Sequence, residues 1–337
     1  MADNQTAPIL LDEDEGVAEL DDGETTTSVR SSIFQNKEQF GRRYHAYKDG
    51  TYHRPNDEAE LERLDIAHAL FAIINKDRLH LAPLKPDLGR VLDLGAGTGL
   101  WAIEFADAHP SAVVVGVDIS PTMPEVVPPN VQFEIDDIMD QWTYSKQADF
   151  IHCRYMVGSI SDWPRLMRQC YDNLNPGGWV EFQDFDIDYY SQDGSLSDKH
   201  AIKRWQVLCM EAAAKVGRTL TVGRQLERWV REASFTNVQA VKVPVPIGPW
   251  PKDKTLKRMG LVNWTQIFEG LQAVSLRLFL NVLGWTQPEL ESLLMEVRRD
   301  MKNRSIHALY DVYTVIGQKP MNQTGQSHEP STSAREI

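Results

Sequence analysis

Residues Val91-Leu92-Asp93-Leu94-Gly95-Ala96-Gly97-Thr98-Gly99-Leu100-Trp101 constrain this chain more than any other stretch. They read as a buried strand that runs into a glycine-rich turn and then a helix. Glycine has no Cβ, so the backbone can turn sharply there and a ligand can approach it closely. The spacing is G-x-G-x-G, whereas dinucleotide-binding turns use G-x-G-x-x-G. Asp93 stands on the strand just before the first glycine. A carboxylate so close to the turn repels a pyrophosphate and suits a ligand with a cationic amino acid group.

The following segments extend the pattern. Ala112-Val113-Val114-Val115-Gly116-Val117-Asp118 is a β-branched run ending in an acid, as a second buried parallel strand would be. Asp118 lies 19 residues after Gly99. An acid about 20 residues past such a turn can accept two ribose hydroxyls. Val131 to Ile138 reads as a third strand ending in the pair Asp136-Asp137, where a carboxylate can accept an adenine amino group. Asn175-Pro176-Gly177-Gly178 then turns into the strand Trp179-Val180-Glu181-Phe182. Together these features favour S-adenosylmethionine over NAD, FAD or ATP.

From Arg90 to Asp184 the chain resembles the class I S-adenosylmethionine-dependent methyltransferases. A narrower resemblance, to the fungal LaeA-like methyltransferases, spans about Phe40 to Pro320. It rests on Gly41-Arg42-Arg43-Tyr44-His45-Ala46-Tyr47, Tyr52, Pro55-Asn56-Asp57-Glu58 and Arg63-Leu64-Asp65. His152-Cys153-Arg154, Gly158-Ser159-Ile160-Ser161-Asp162-Trp163 and Gly317-Gln318-Lys319-Pro320 complete it. The resemblance implies an α/β fold: a doubly wound, Rossmann-like sheet of seven strands with an N-terminal helical cover. The family includes regulators of secondary metabolism, so the resemblance carries fold and cofactor better than the methyl acceptor.

Alternating elements support that architecture: strands near 90–94, 112–118, 131–135, 148–153 and 178–184, with helices at 100–108 and 162–174 between them. Such βαβ alternation implies a parallel sheet whose ligands sit at the carboxyl ends of the strands. Asn56 is the expected cap of a helix carrying Leu61, Leu64, Ala67 or His68, Phe71 and Ile74 on one face. Helices near 198–216 and 223–234 precede a strand near 237–243, and a final strand spans Tyr310 to Gly317. The expected organisation is a disordered acidic tail at 1–35, a cover and helix at 36–80, and the cofactor-binding core at 81–245. A helical insertion at 246–303 should roof the substrate cavity, ahead of the last strand at 304–320 and a loose tail at 321–337.

The formal charge of −13 is misleading. Nine acids and no Lys or Arg lie in Met1 to Val29, and setting them aside leaves −4. That tail is poor in large apolar residues and reads as a solubilising segment, although Leu10 and Leu11 beside acids could dock a partner. The body has no basic stripe with interleaved aromatics, which weighs against direct nucleic-acid binding. There is no signal-like start and no apolar run of membrane-spanning length. Cys153, Cys170 and Cys209 are few and widely spaced, as reduced thiols of a cytoplasmic or nuclear protein would be.

Each candidate site residue carries an expected role. Gly95, Gly97 and Gly99, with Ala96, Thr98 and Trp101, should pass close to the amino acid part of S-adenosylmethionine. Asp93 should receive its ammonium, and Asp118 with Ile119 the ribose. Asp137, or else Asp136, should take the adenine amino group, with Ile138 giving a backbone N–H. His152, Cys153 and Arg154 end the fourth strand. Strand alternation lets only one of His152 and Cys153 face the pocket. His152 is either a general base or a buried, hydrogen-bonded ring, and Arg154 either holds the cofactor carboxylate or pairs with an acid such as Asp162. Tyr44 and Tyr47 resemble the family's aromatic cover, with a face attractive to a sulfonium; Tyr52 reads as packing. Gln183 and Asp184 lie where acceptors are often held. No metal is expected.

The leading functional reading is methyl transfer to a small, apolar or aromatic metabolite. The alternative is a LaeA-like regulator that acts through a protein partner or by methylating protein. A nicotinamide-dependent oxidoreductase is disfavoured by the glycine spacing and Asp93.

Overall fold

Runs of Val, Ile and Leu flanked by helix-forming segments build parallel strands, the central ones buried on both faces. In the computed structural model, which describes residues 35–321 except 49, 51 and 52, these are β3 (Arg90–Leu94), β4 (Val113–Asp118), β5 (Val131–Ile135), β6 (Ala148–Arg154) and β7 (Leu174–Phe185). The acidic tail with Leu10 and Leu11, Tyr52, and nearly all of the C-terminal tail lie outside the described residues. An antiparallel hairpin of β1 (Asn36–Gln39) and β2 (Arg42–His45) precedes the core, and β8 (Thr236–Pro246) and β9 (Leu309–Gln318) finish it. The seven-stranded sheet has the order β5-β4-β3-β6-β7-β9-β8, parallel except for β9, which runs antiparallel to both neighbours. Strand order reverses between β3 and β6, and a crevice opens beyond their carboxyl ends.

The helices are α1 (Glu58–Ile74), α2 (Leu100–Ala108), α3 (Trp163–Asp172), α4 (Ala201–Lys215), α5 (Gly223–Glu232), α6 (Lys254–Leu276) and α7 (Gln287–Lys302). The cap of α1 is Asp57, not Asn56: the Asp57 carboxylate accepts from the Glu60 N–H at 3.1 Å and from Arg42. Asn56 instead turns inward, donating to Asn36 Oδ1 at 3.1 Å. One residue of shift follows because a carboxylate can serve both the helix end and the β2 guanidinium. The cover is thus a β-hairpin tied to a helix rather than a helix alone.

Residues 247–308, between β8 and β9, hold α6, a π-helical segment (Arg277–Val282) and α7. Gly260 and Gly270 let α6 lie close to its neighbours. A Cβ at Gly270 would meet Arg63 Cδ of α1 at 2.7 Å. Among the described residues no helix is long and apolar enough to cross a membrane.

Candidate functional site

A cavity of about 200 Å³ fills the crevice at the β3–β6 reversal. Its floor is the glycine turn. Gly95, Gly97 and Gly99 have φ of 75°, 57° and 80°, a region in which a side chain is strained. A Cβ at Gly95 would strike the Met156 thioether, so that glycine is also needed for space. Ala96, Gly97, Thr98 and Trp101 line the cavity with Gly95, whereas Gly99 caps α2 beneath Phe133.

β3 and β6 are paired, with Asp93 opposite His152. His152 Nδ1 lies 2.8 Å from Asp93 Oδ1. A carboxylate can only accept there, so Nδ1 carries the proton. The ring stacks on Trp101 at 3.7 Å and 6°. Burial pulls its pKa down to about 4, against the opposing pull of Asp93. The imidazole is therefore neutral at pH 7. Its buried Nε2 has no hydrogen-bond partner among the described residues.

Two residues on, Arg154 borders the same cavity. Its Nη2 donates to His68 Nδ1 at 2.8 Å, and His68 Nε2 in turn donates to Glu104 at 3.0 Å. The guanidinium lies over Phe71 at 5.0 Å. No carboxylate among the described residues is within ion-pair distance of it, and burial lowers its pKa to about 10. Asp162, its alternative partner, caps α3 instead, accepting from the Arg165 N–H at 2.9 Å. An acid, an unpaired guanidinium and an imidazole lone pair thus surround one end of the cavity. This set is complementary to an ammonium and a carboxylate together, so it fits the amino acid end of S-adenosylmethionine.

At the other end, Asp118 accepts from the Gly97 N–H at 2.8 Å and the Ser120 N–H at 2.9 Å. Burial raises its pKa above the usual carboxylate value. Asp118 lines the cavity together with Ile119. Asp136, Asp137 and Ile138 complete that end. Asp137 spends its oxygens on the Met139 N–H at 2.9 Å and on Lys48 at 3.0 Å, whereas among the described residues one oxygen of Asp136 is engaged, by the Asp137 N–H.

Cys153, Tyr44, Tyr47, Gln183 and Asp184, singled out in the sequence, do not line this cavity. Cys153 points to the opposite face of β6 from His152 and Arg154, into the apolar core, and burial raises its thiol pKa well above normal. Tyr44 is wholly buried with its ring 3.7 Å from the Arg277 guanidinium, so its cation is a protein one. Tyr47 lies beside Lys48, near Asp136, Asp140 and Asp137, at the end of the cavity away from His152. Gln183 is buried between Asn75, from which it accepts at 3.1 Å, and Glu181, to which it donates. Asp184 braces the site from below: it accepts from the Met156 N–H at 2.9 Å, and burial pushes its pKa up to about 8.

Other lining residues went unassigned. Leu64, His68 and Phe71 were visible only as the apolar stripe of α1; Tyr155, Met156, Ser159 and Arg218 come from loops. Tyr155 has φ of 62°, an uncommon value for an aromatic residue. Its hydroxyl accepts from Arg63 at 2.9 Å and donates to Gln266 at 2.8 Å. Among the described residues no group of three or more His, Cys, Asp or Glu could hold a metal ion.

Comparison with known proteins agrees with this geometry. A family model described as a methyltransferase domain matches residues 66–240. "Methyltransferase pytC" of Aspergillus terreus is 43% identical over 314 residues, covering 93% of this chain and 97% of that protein. "Probable methyltransferase tdiE" of Emericella nidulans is 35% identical, over 81% and 87%. "Secondary metabolism regulator LAE1" of Cochliobolus heterostrophus is 33% identical, over 83% and 94%. The chain belongs to the methyltransferase family, in its LaeA-like group. It is a class I enzyme whose methyl donor is S-adenosylmethionine.

Proposed function

We propose that this protein methylates a small, largely apolar or aromatic secondary metabolite held between the cofactor cavity and α6. The observation that carries this reading is the aromatic and aliphatic space behind Tyr155. Tyr155 lines both the cofactor cavity and a second cavity formed by Phe185, Trp205, Ile267, Leu271, Val274 and Tyr310. Apolar acceptors need such a water-poor wall.

When bound, S-adenosylmethionine supplies an activated methyl group on a sulfonium. The chain's residues orient it. Arg154 holds the carboxylate, Asp93 and the His152 lone pair hold the ammonium, and Asp118 holds the ribose. The Asp136-Asp137 pair with Ile138 reads the adenine. His152 acts by positioning, since a ring with a pKa of about 4 that is committed to Asp93 is a poor base at neutral pH. α6 and α1 exclude water from the transfer path.

The similarity to LAE1 keeps a second reading, in which the acceptor is a protein side chain and a regulatory partner docks. Incubating the full chain with radiolabelled S-adenosylmethionine and a fungal extract separates the two. Label entering organic-soluble molecules is the expected result. Label confined to protein would overturn the first reading in favour of the second.

A further inference from the structure

The cavity behind Tyr155 is apolar but for its cations. Two arginines reach it, Arg54 and Arg63, with Gln266 and the Tyr155 ring between them. Their states differ. Arg63 is neutralised by Glu60 through two hydrogen bonds of 2.7 and 2.9 Å, both side chains being 2% exposed. Arg54 has no such partner. Its guanidinium lies 5.4 Å from the Tyr155 ring centre and donates to the Val157 carbonyl at 3.3 Å. Among the described residues no carboxylate is within ion-pair distance of Arg54. The acid that feels its field is Asp184, whose oxygens already accept from the Met156 and Phe185 N–H groups.

Among the described residues no aspartate, glutamate or histidine lines this cavity. His53 and Arg218 border a neighbouring small cavity that shares Arg54 and Val274 with it. The groups facing an acceptor here are therefore a cation, amide and phenol donors, and rings, with no base among them. Each of the two cavities holds about 30 Å³, room for one or two waters. Arg54 and Val274 line both, so an acceptor that pushes Val274 aside and keeps the Arg54 guanidinium would span the two.

Resting on the methyltransferase reading, we infer that this cavity is the acceptor site and that it selects a flat apolar molecule bearing an acidic oxygen, paired with Arg54. A carboxylic acid, an acidic phenol or an enol meets that description. The acceptor arrives ionised, its proton already lost to solvent. A lone pair of its oxygen forms the new bond to the methyl carbon while the carbon–sulfur bond breaks, and that electron pair returns to sulfur. No proton remains to be removed, which matches a cavity without a base. A half-buried cation facing an apolar space strengthens the pairing, since less water competes for it there than at an open surface.

The test uses the full-length protein saturated with S-adenosylhomocysteine, with 2-naphthoate and its neutral counterpart 2-naphthylmethanol as probes, read by calorimetry. The expected result is naphthoate binding at least tenfold tighter than the alcohol. Arg54→Gln should erase that ratio while S-adenosylhomocysteine affinity stays within twofold. Val274→Trp, which fills the cavity, should abolish binding of both probes and spare S-adenosylhomocysteine. Equal affinity of the unaltered protein for the two probes, or an unchanged ratio in Arg54→Gln, would overturn the role of Arg54. Naphthoate binding that survives Val274→Trp would overturn the location. Failure of the unaltered protein to bind S-adenosylhomocysteine would strike the methyltransferase reading itself, a separate outcome.

Discussion

The two walls of the cavity handle polar groups in opposite ways. On the sheet side, among the described residues, Arg154 has no acid, His152 Nε2 has no donor, and Asp93 has one oxygen committed to His152. On the α6 side, Glu60, Arg63, Tyr155, Gln266, Asn263 and Tyr310 form a continuous buried chain. Gln266 donates to Asn263 at 3.0 Å, Tyr310 to Asn263 at 2.9 Å, and Asn263 to the Pro246 carbonyl at 2.7 Å. The sheet-side wall has valences left over, whereas this chain of side chains between α1 and α6 is complete. An unmet buried hydrogen bond is costly, so it persists where a ligand completes it. A completed chain locates scaffold, and here it fastens the N-terminal helix to the insertion.

Breaking the saturated wall should have the largest effect. Glu60→Ala removes the carboxylate bound twice by the buried Arg63, and stability should fall by about 3–5 kcal/mol in urea denaturation. A loss below about 1 kcal/mol would mean that the chain is not holding α1 to α6. The open wall has a pH signature. His152 titrates near 4 when folded against an ordinary 6.5, so folding disfavours its charged form. Its contribution is complete above pH 6.5 and is lost as pH falls towards 4, on the order of 2–3 kcal/mol. His152→Gln can still donate to Asp93 but does not titrate, so melting temperatures at pH 7 and pH 5 should converge in that variant.

Affinity changes come next. Asp118→Ala removes the proposed ribose acceptor and the anchor of the Gly97 N–H, and should weaken S-adenosylhomocysteine at least tenfold, about 1.4 kcal/mol or more. An unchanged dissociation constant would remove Asp118 from the site. The smallest effect on the fold, and the sharpest on the comparison, belongs to Arg154→Met. Cofactor affinity should drop about tenfold while the ligand-free protein becomes no less stable, because an unpaired enclosed cation has gone. A large fall in ligand-free stability would place Arg154 with the scaffold.

The difference between the walls also explains what the sequence disclosed. Asp93 to Trp101 and Asp118 are legible because strand, turn and helix follow one another within a few residues, and the glycine positions need only local backbone sterics. Strand spans matched for the same reason: Arg90–Leu94 and Val131–Ile135 are continuous β-prone runs. Long-range contacts were not legible. Nothing near Tyr155 announces Gln266, 111 residues away. Tyr44 looked like a sulfonium cover because its cation, Arg277, sits in the distant π-helical segment. Gln183 looked catalytic because strand ends gather chemistry, but the turn after α1 brings Asn75 over it. The preference for Asp57 over Asn56 as a cap depended on Arg42 arriving from the hairpin.

Lys48 spans from the segment after the hairpin to Asp137 at 3.0 Å and Asp140 at 2.5 Å, across the adenine end. A clasp made of charge, not apolar area, loosens as counterions accumulate. The spent nucleoside would then leave faster in concentrated salt, and turnover limited by its departure would be tuned by the ionic strength of the cell. Stopped-flow release of S-adenosylhomocysteine should accelerate with sodium chloride in the unaltered protein and be flat in Lys48→Met. In this enzyme the pace of successive methylations would be set at the purine, far from the carbon that moves.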